Sequence, residues 1–106
     1  MGRFKSDDLA GCWVVGMPNS TTIIASYNVT SLGDTATGQQ TVTIATDFAS
    51  ANYAALVTIG DAGVGLAQSA TVMNKAAGSF VMNSVIEAGA GDDPSVDWNA
   101  VAFGTQ

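Results

Sequence analysis

In "TVTIATDF", residues 41–48, Val42 and Ile44 fall on one side of an extended chain and Thr41 and Thr43 on the other, a period of two that fits no helical stripe. This is the pattern of a half-buried strand. Similar extended stretches recur at short intervals: "CWVV" 12–15, "TTIIASYNV" 21–29, "QTVTIAT" 40–46, "YAALVTIG" 53–60, "LAQSATVMN" 66–74, "SFVMNSVIE" 79–87 and "VDWNAVAFG" 96–104. Turn residues punctuate them. "SLGDTATG" carries Gly33, Asp34 and Gly38, "GDAGVG" 60–65 has three glycines, and "AGAGDDP" 88–94 is the longest loop. Short strands with a turn every ten or so residues predict an all-β chain, an antiparallel β-sandwich, jelly-roll-like, of about seven to eight strands. Asp47 at the head of "DFASANYAAL" is a candidate cap, so a turn or short helix is expected over Phe48–Asn52.

The same alternation nominates a core of Trp13, Tyr27, Val42, Ile44 and Trp98. The last strand differs from the rest in being apolar on both sides. Val96, Trp98, Ala100 and Ala102 point one way, while Val101 and Phe103 point the other beside Asp97 and Asn99. One side is expected to enter the protomer core, and Val101 and Phe103 are expected to meet a neighbouring copy. A central strand capped by a loop is the alternative.

Composition sharpens that expectation. The chain has 106 residues, enough for one domain, yet only 11% are charged, where an ordinary soluble domain has about a quarter. So little charge protects a monomer poorly against self-association, which favours an oligomer. The boundaries predicted are a short N-terminal arm over residues 1–11 and a sandwich over residues 12–106. Within the arm Arg3 and Lys5 balance Asp7 and Asp8, so the formal net charge of −6 belongs to the body, where Lys75 faces seven acids. Such a body lacks the clustered cations that nucleic acid or an anionic membrane requires, and neither is expected as a partner.

Candidate chemistry is sparse. With no histidine, the usual general base, the commonest metal ligand and every Ser-His triad are missing, and no catalytic residue is nominated. Cys12 is the only cysteine, flanked by Gly11 and Trp13, and reads as a small buried hydrophobe. Asp92, Asp93 and Asp97 form the densest acidic group, a solvated turn or a weak oxygen site for calcium that lacks the spacing of a known loop. The glycines of "GDAGVG" precede no lysine, so no phosphate cradle is expected. No cofactor or metal is therefore assigned. The sequons at Asn19 and Asn28 read as turn and strand chemistry, since "MGRFKSDDLAGCW" does not resemble a signal peptide, and no apolar run reaches the ~20 residues of a membrane span.

"SYNVTSLGDTATGQQTVTIATDFASANYAALVTIG" resembles a β-sandwich module of bacteriophage tail-fibre and other virion surface proteins. Its pattern is a strand ending in "SYNV(S/T)S", a polar hairpin with "TG", and a strand leading through a short turn to a tyrosine and another strand. Ser26, Tyr27, Asn28, Val29, Thr30, Ser31, Gly38 and Tyr53 occupy the matching places. "CWVV" and "VDWNAVAFG" resemble the flanking strands, so the likeness covers roughly residues 11–104. The resemblance implies a sandwich that commonly trimerises on the outside of a phage particle, without catalytic residues. Only about ten residues precede the module here, which favours a capsid decoration, or cement, protein over a fibre tip. Such a homotrimer would be made in the host cytoplasm and would sit on the virion surface. Arg3, Phe4, Lys5 and Leu9 are expected to contact the major capsid protein, and burying Phe4 and Leu9 could contribute roughly 1.5 to 3 kcal/mol each. The alternative is a receptor-binding adhesin derived from a tail fibre, with a host surface glycan as its partner. A small hydrolase ranks last.

Overall fold

The computed structural model describes residues 10–18, 20–60, 68–86, 91, 94 and 96–106. Eight strands form two four-stranded antiparallel sheets, with no helix among the described residues. The strands are β1 (Ala10–Gly16), β2 (Ile23–Tyr27), β3 (Val29–Ala36), β4 (Gln39–Ile44), β5 (Ala54–Ile59), β6 (Gln68–Ala76), β7 (Ser79–Ile86) and β8 (Trp98–Phe103). Sheet A has the order β2-β1-β8-β5, and sheet B the order β3-β4-β7-β6. The chain is an all-β antiparallel sandwich, and β1 begins two residues before the "CWVV" stretch.

Alternation decides which side chains enter it. On β4, Gln40, Val42 and Ile44 are buried while Gln39, Thr41 and Thr43 are only partly covered. On β8, Trp98, Ala100 and Ala102 are buried, and Trp98 is 0% exposed. Cys12, Val14, Val42, Ile44, Phe80, Met82 and Trp98 belong to one apolar cluster between the sheets. Gly16 makes room for the indole: a Cβ there would lie 2.5 Å from Cε2 of Trp98. A side chain at residue 16 would have to displace the largest buried group in the molecule.

Two aromatics expected in the core lie outside it. On β1, Cys12, Val14 and Gly16 face inward, which forces Trp13 outward, where it is 38% exposed. Tyr27 pairs directly with Trp13 across the β1–β2 ladder and therefore shares its side of the sheet, 56% exposed. The small inward residues fix the phase of the strand, and aromatic size does not override it.

The hairpin before β4 is also tighter than its composition suggested. Most of "SLGDTATG" belongs to β3, with Leu32 buried opposite Val42, and the reversal is confined to Thr37 and Gly38, the latter at φ 76°. Register shifts between Val29 and Ser31 and between Asp34 and Ala36 leave Thr30 and Thr35 as extra residues on this edge strand. The glycine and aspartate that suggested a turn are accommodated in a bulged edge.

The "TTIIASYNV" stretch is broken instead at Asn28, which adopts φ 57° as the chain passes from sheet A to sheet B. Its side chain secures the corner. Nδ2 donates to the carbonyls of Gly11 at 2.8 Å and Thr46 at 3.1 Å, Oδ1 accepts from the Thr46 amide at 2.7 Å, and its carbonyl accepts from Ala45 N at 3.0 Å. One residue thus ties β1, the β2–β3 corner and the end of β4 together. Between β4 and β5 the chain bends without forming a helix, and Phe48 stacks on Tyr53 with ring centroids 4.1 Å apart. Tyr53 Oη lies 2.8 Å from the Ala76 carbonyl and 3.0 Å from that of Ser79, so its single proton joins this segment to the β6–β7 turn.

Candidate interaction face

Strand register assembles a continuous apolar surface on the outside of sheet A. Tyr27 on β2 is opposite Trp13 on β1, Trp13 is opposite Val101 on β8, and Val101 is opposite Leu56 on β5. Directly opposed residues share a face, so these four side chains form one row across all four strands, about 14 Å from end to end at the usual strand spacing. The rows on either side extend it. One contains Phe103 and Ala54, and the other contains Ala25, Val15, Asn99 and Thr58. No charged residue occurs in any of the three rows.

The row is open to solvent in the single chain. Leu56 is 60% exposed, and Trp13 and Tyr27 are also exposed, while Val101 between them is half-buried; Phe103 in the neighbouring row is 38% exposed. Met17 and Ile24 are exposed as well, near the register shift where β1 and β2 part. Isolated surface hydrophobics are ordinary; here they lie side by side in neighbouring rows with no charged residue between them.

Of the residues nominated for contact between copies, Val101 stands at the centre of this face and Phe103 one row away. Trp13 and Tyr27 join them. Leu56 was not anticipated, although the signal was present: "AALVTI" is apolar in both phases, the same property that singled out β8. Arg3, Phe4, Lys5 and Leu9 lie outside the described residues, as do Asp92 and Asp93, while Asp97 is described and exposed.

The groups able to carry proton or nucleophile chemistry are muted by their surroundings. Burial pushes the Cys12 thiol up to about 11, so at neutral pH it is the protonated, weakly nucleophilic form. Burial, and secondarily the charge of Cys12, pushes the Tyr53 phenol up to about 12. Lys75 donates to the Tyr53 carbonyl and lies 5.2 Å from the centroid of its ring. Among the described residues no group of three or more His, Cys, Asp or Glu side chains is placed to hold a metal ion, and no helix is long and apolar enough to cross a membrane.

Comparison of the chain with protein families, curated proteins and solved structures gives no match.

Proposed function

We propose that this chain is a structural protein of a bacteriophage virion, a homotrimeric capsid decoration protein whose copies meet through the outer face of sheet A and whose N-terminal arm reaches the major capsid protein. The observation that carries the reading is the Tyr27–Trp13–Val101–Leu56 row, exposed at Tyr27, Trp13 and Leu56, half-buried at Val101 and without charge in a chain of net charge −6. Three copies would together carry −18, and an uncharged contact surface keeps that charge away from the desolvated interface. The resemblance of the "SYNVTS" corner to virion surface modules supplies the setting. The arm, neutral overall, can approach a shell without the electrostatic penalty of the body.

Native mass measurement of the free protein, followed by mixing with undecorated phage particles, tests the reading in two steps. Three chains per molecule and saturable coating in hundreds of copies are expected. A monomer that does not coat particles would overturn it.

One observation favours a second reading, a receptor-binding domain derived from a tail fibre. Trp13 and Tyr27 are neighbouring exposed aromatics, and aromatic rings stack on the apolar faces of sugars. Under that reading Trp13 stays accessible in the free assembly, and its fluorescence changes when host surface glycan is added. In the trimer proposed above, Trp13 is shielded from soluble quenchers before any glycan is present.

A further inference from the structure

Asn28 ties the two sheets at one end of the sandwich, and the opposite end is closed by different residues. There β1 finishes at Gly16, the loop to β2 carries Ser20, and β8 begins at Trp98, which pairs with Gly16. Tyr27 and Val29 flank Asn28, the first opposite Trp13 on β1 and the second opposite Ile44 on β4. From that corner Gly16 lies three residues beyond Trp13, about 10 Å, and Gln40 lies four residues from Ile44, about 13 Å. Gly16 and Gln40 are therefore displaced toward the same end by similar distances. Sheet order sets them face to face: β2 passes to β3 along one side and β5 lies beside β6 along the other, so β1 stands opposite β4.

Two polar side chains are buried at this end. Gln40 is 5% exposed, and its Nε2 donates to the Ser20 carbonyl at 2.8 Å. That bond fixes the amide, because the reversed orientation would set two oxygens against each other. Trp98 is 0% exposed, and its indole leans onto β1, with Nε1 2.6 Å from where a Cβ of residue 16 would stand. Neither Gln40 Oε1 nor Trp98 Nε1 has a hydrogen-bond partner among the described residues. The first can only accept and the second can only donate. Groups withdrawn from water in this way are costly unless they are paired.

We propose that Gln40 and Trp98 form a binding site for one internal water molecule, which accepts from Nε1–H of Trp98 and donates to Oε1 of Gln40. The pair selects its occupant. A cation is repelled by the indole N–H and an anion by the amide oxygen, whereas water meets both groups at once. Gln40 is already held through Nε2, so its oxygen does not swing to the indole without giving up Ser20. The water joins the β1–β2 loop, β4 and β8 across the sandwich, as Asn28 joins the strands at the other end. This site is independent of the virion role.

Nuclear magnetic resonance of the natural chain tests the site through cross-relaxation between water and protein. The indole proton of Trp98 should show a cross-peak at the water frequency, with the rotating-frame sign of dipolar contact and not that of proton exchange. Gln40→Met keeps the shape of the side chain without its amide, and the cross-peak should be lost in it. No water cross-peak at the Trp98 indole of the natural chain would overturn the proposal. So would a scalar coupling across a hydrogen bond from Trp98 Nε1 to the Gln40 amide carbonyl, which would mean that the two bond directly. A cross-peak of undiminished strength in folded Gln40→Met would overturn it as well, since the water would then be held by other groups. Should that variant fail to fold, the two measurements on the natural chain decide the matter.

Discussion

The outer faces of the two sheets cover the same core and have little else in common. On sheet A the middle row reads Tyr27, Trp13, Val101, Leu56, whereas on sheet B the corresponding row reads Gly33, Thr41, Val81, Met73, bordered by Ser31, Thr43 and Ser79 on one side and by Gln39, Asn83 and Thr71 on the other. Hydroxyls bond along the second surface, as Thr35 Oγ1 and Thr41 Oγ1 do at 2.7 Å. Both faces lack charge within these rows, so charge alone does not distinguish them. What differs is hydration: sheet B offers water a side-chain donor or acceptor at most positions, whereas on sheet A only Asn99, Thr58 and the polar tips of Tyr27 and Trp13 do so. Outer positions are free of the core's demands, so the difference in composition between the two faces is not imposed by the core.

The comparison can be tested first with the two tryptophans, which lie on opposite sides of sheet A. Trp98→Ala removes the largest fully buried side chain and should cost about 3 to 5 kcal/mol, most of the stability of a small domain, read from the denaturant midpoint. Trp13→Ala should cost an isolated protomer about 1 kcal/mol or less, since only cross-strand contacts are lost. Equal losses would mean that Trp13 is buried within the protomer after all.

A smaller effect is expected at the corner common to both sheets. Asn28→Ala removes the side-chain hydrogen bonds and places a Cβ-bearing residue without Asn's tolerance at φ 57°, so a loss of about 2 kcal/mol is expected in thermal or chemical unfolding. Asn28→Gly keeps the backbone freedom and should lose less. If the glycine and alanine variants lose equally, the positive φ contributes little and the loss belongs to the hydrogen bonds that both variants lack.

Titration supplies a third contrast, confined to the interior. The folded values of Cys12 and Tyr53 are raised, to about 11 and about 12, from 9.0 and 10.0. Their contribution to stability is complete below pH 9 and is lost as the pH rises through the folded values. The melting temperature should therefore fall between pH 9 and pH 12, and Cys12→Ala should remove the earlier part of that fall. The smallest effect belongs to the polar face: Thr41→Ser should change stability by less than about 0.5 kcal/mol and leave the assembly state unaltered.

Much of this architecture was legible in the chain. Val42 and Ile44 in "QQTVTI", and Trp98, Ala100 and Ala102 in "WNAVAF", announce their buried face by alternation alone. The two-sided apolar character of β8 pointed to Val101 and Phe103. Other features needed register. Trp13 and Tyr27 were expected inward, because the cue that turns them out is the smallness of Cys12, Val14 and Gly16 on the same strand, with Gly16 against a large indole from another strand. β3 was hidden because its bulges and its Gly33 and Asp34 imitate a turn, and the break at Asn28 was hidden because the left-handed residue is an asparagine within a β-branched run. The row across sheet A joins residues distant in sequence, which no local pattern reveals.

The most direct test of the account is the native mass of the protein beside that of Leu56→Glu, across micromolar concentrations. Leu56 lies in the exposed row, so glutamate there leaves the protomer folded while placing a charge inside the proposed contact. The account predicts three chains for the natural sequence and one for the variant, with matching circular dichroism. A natural protein that stays monomeric throughout, or a variant that assembles as tightly as its parent, would show that the apolar face of sheet A is not where copies meet.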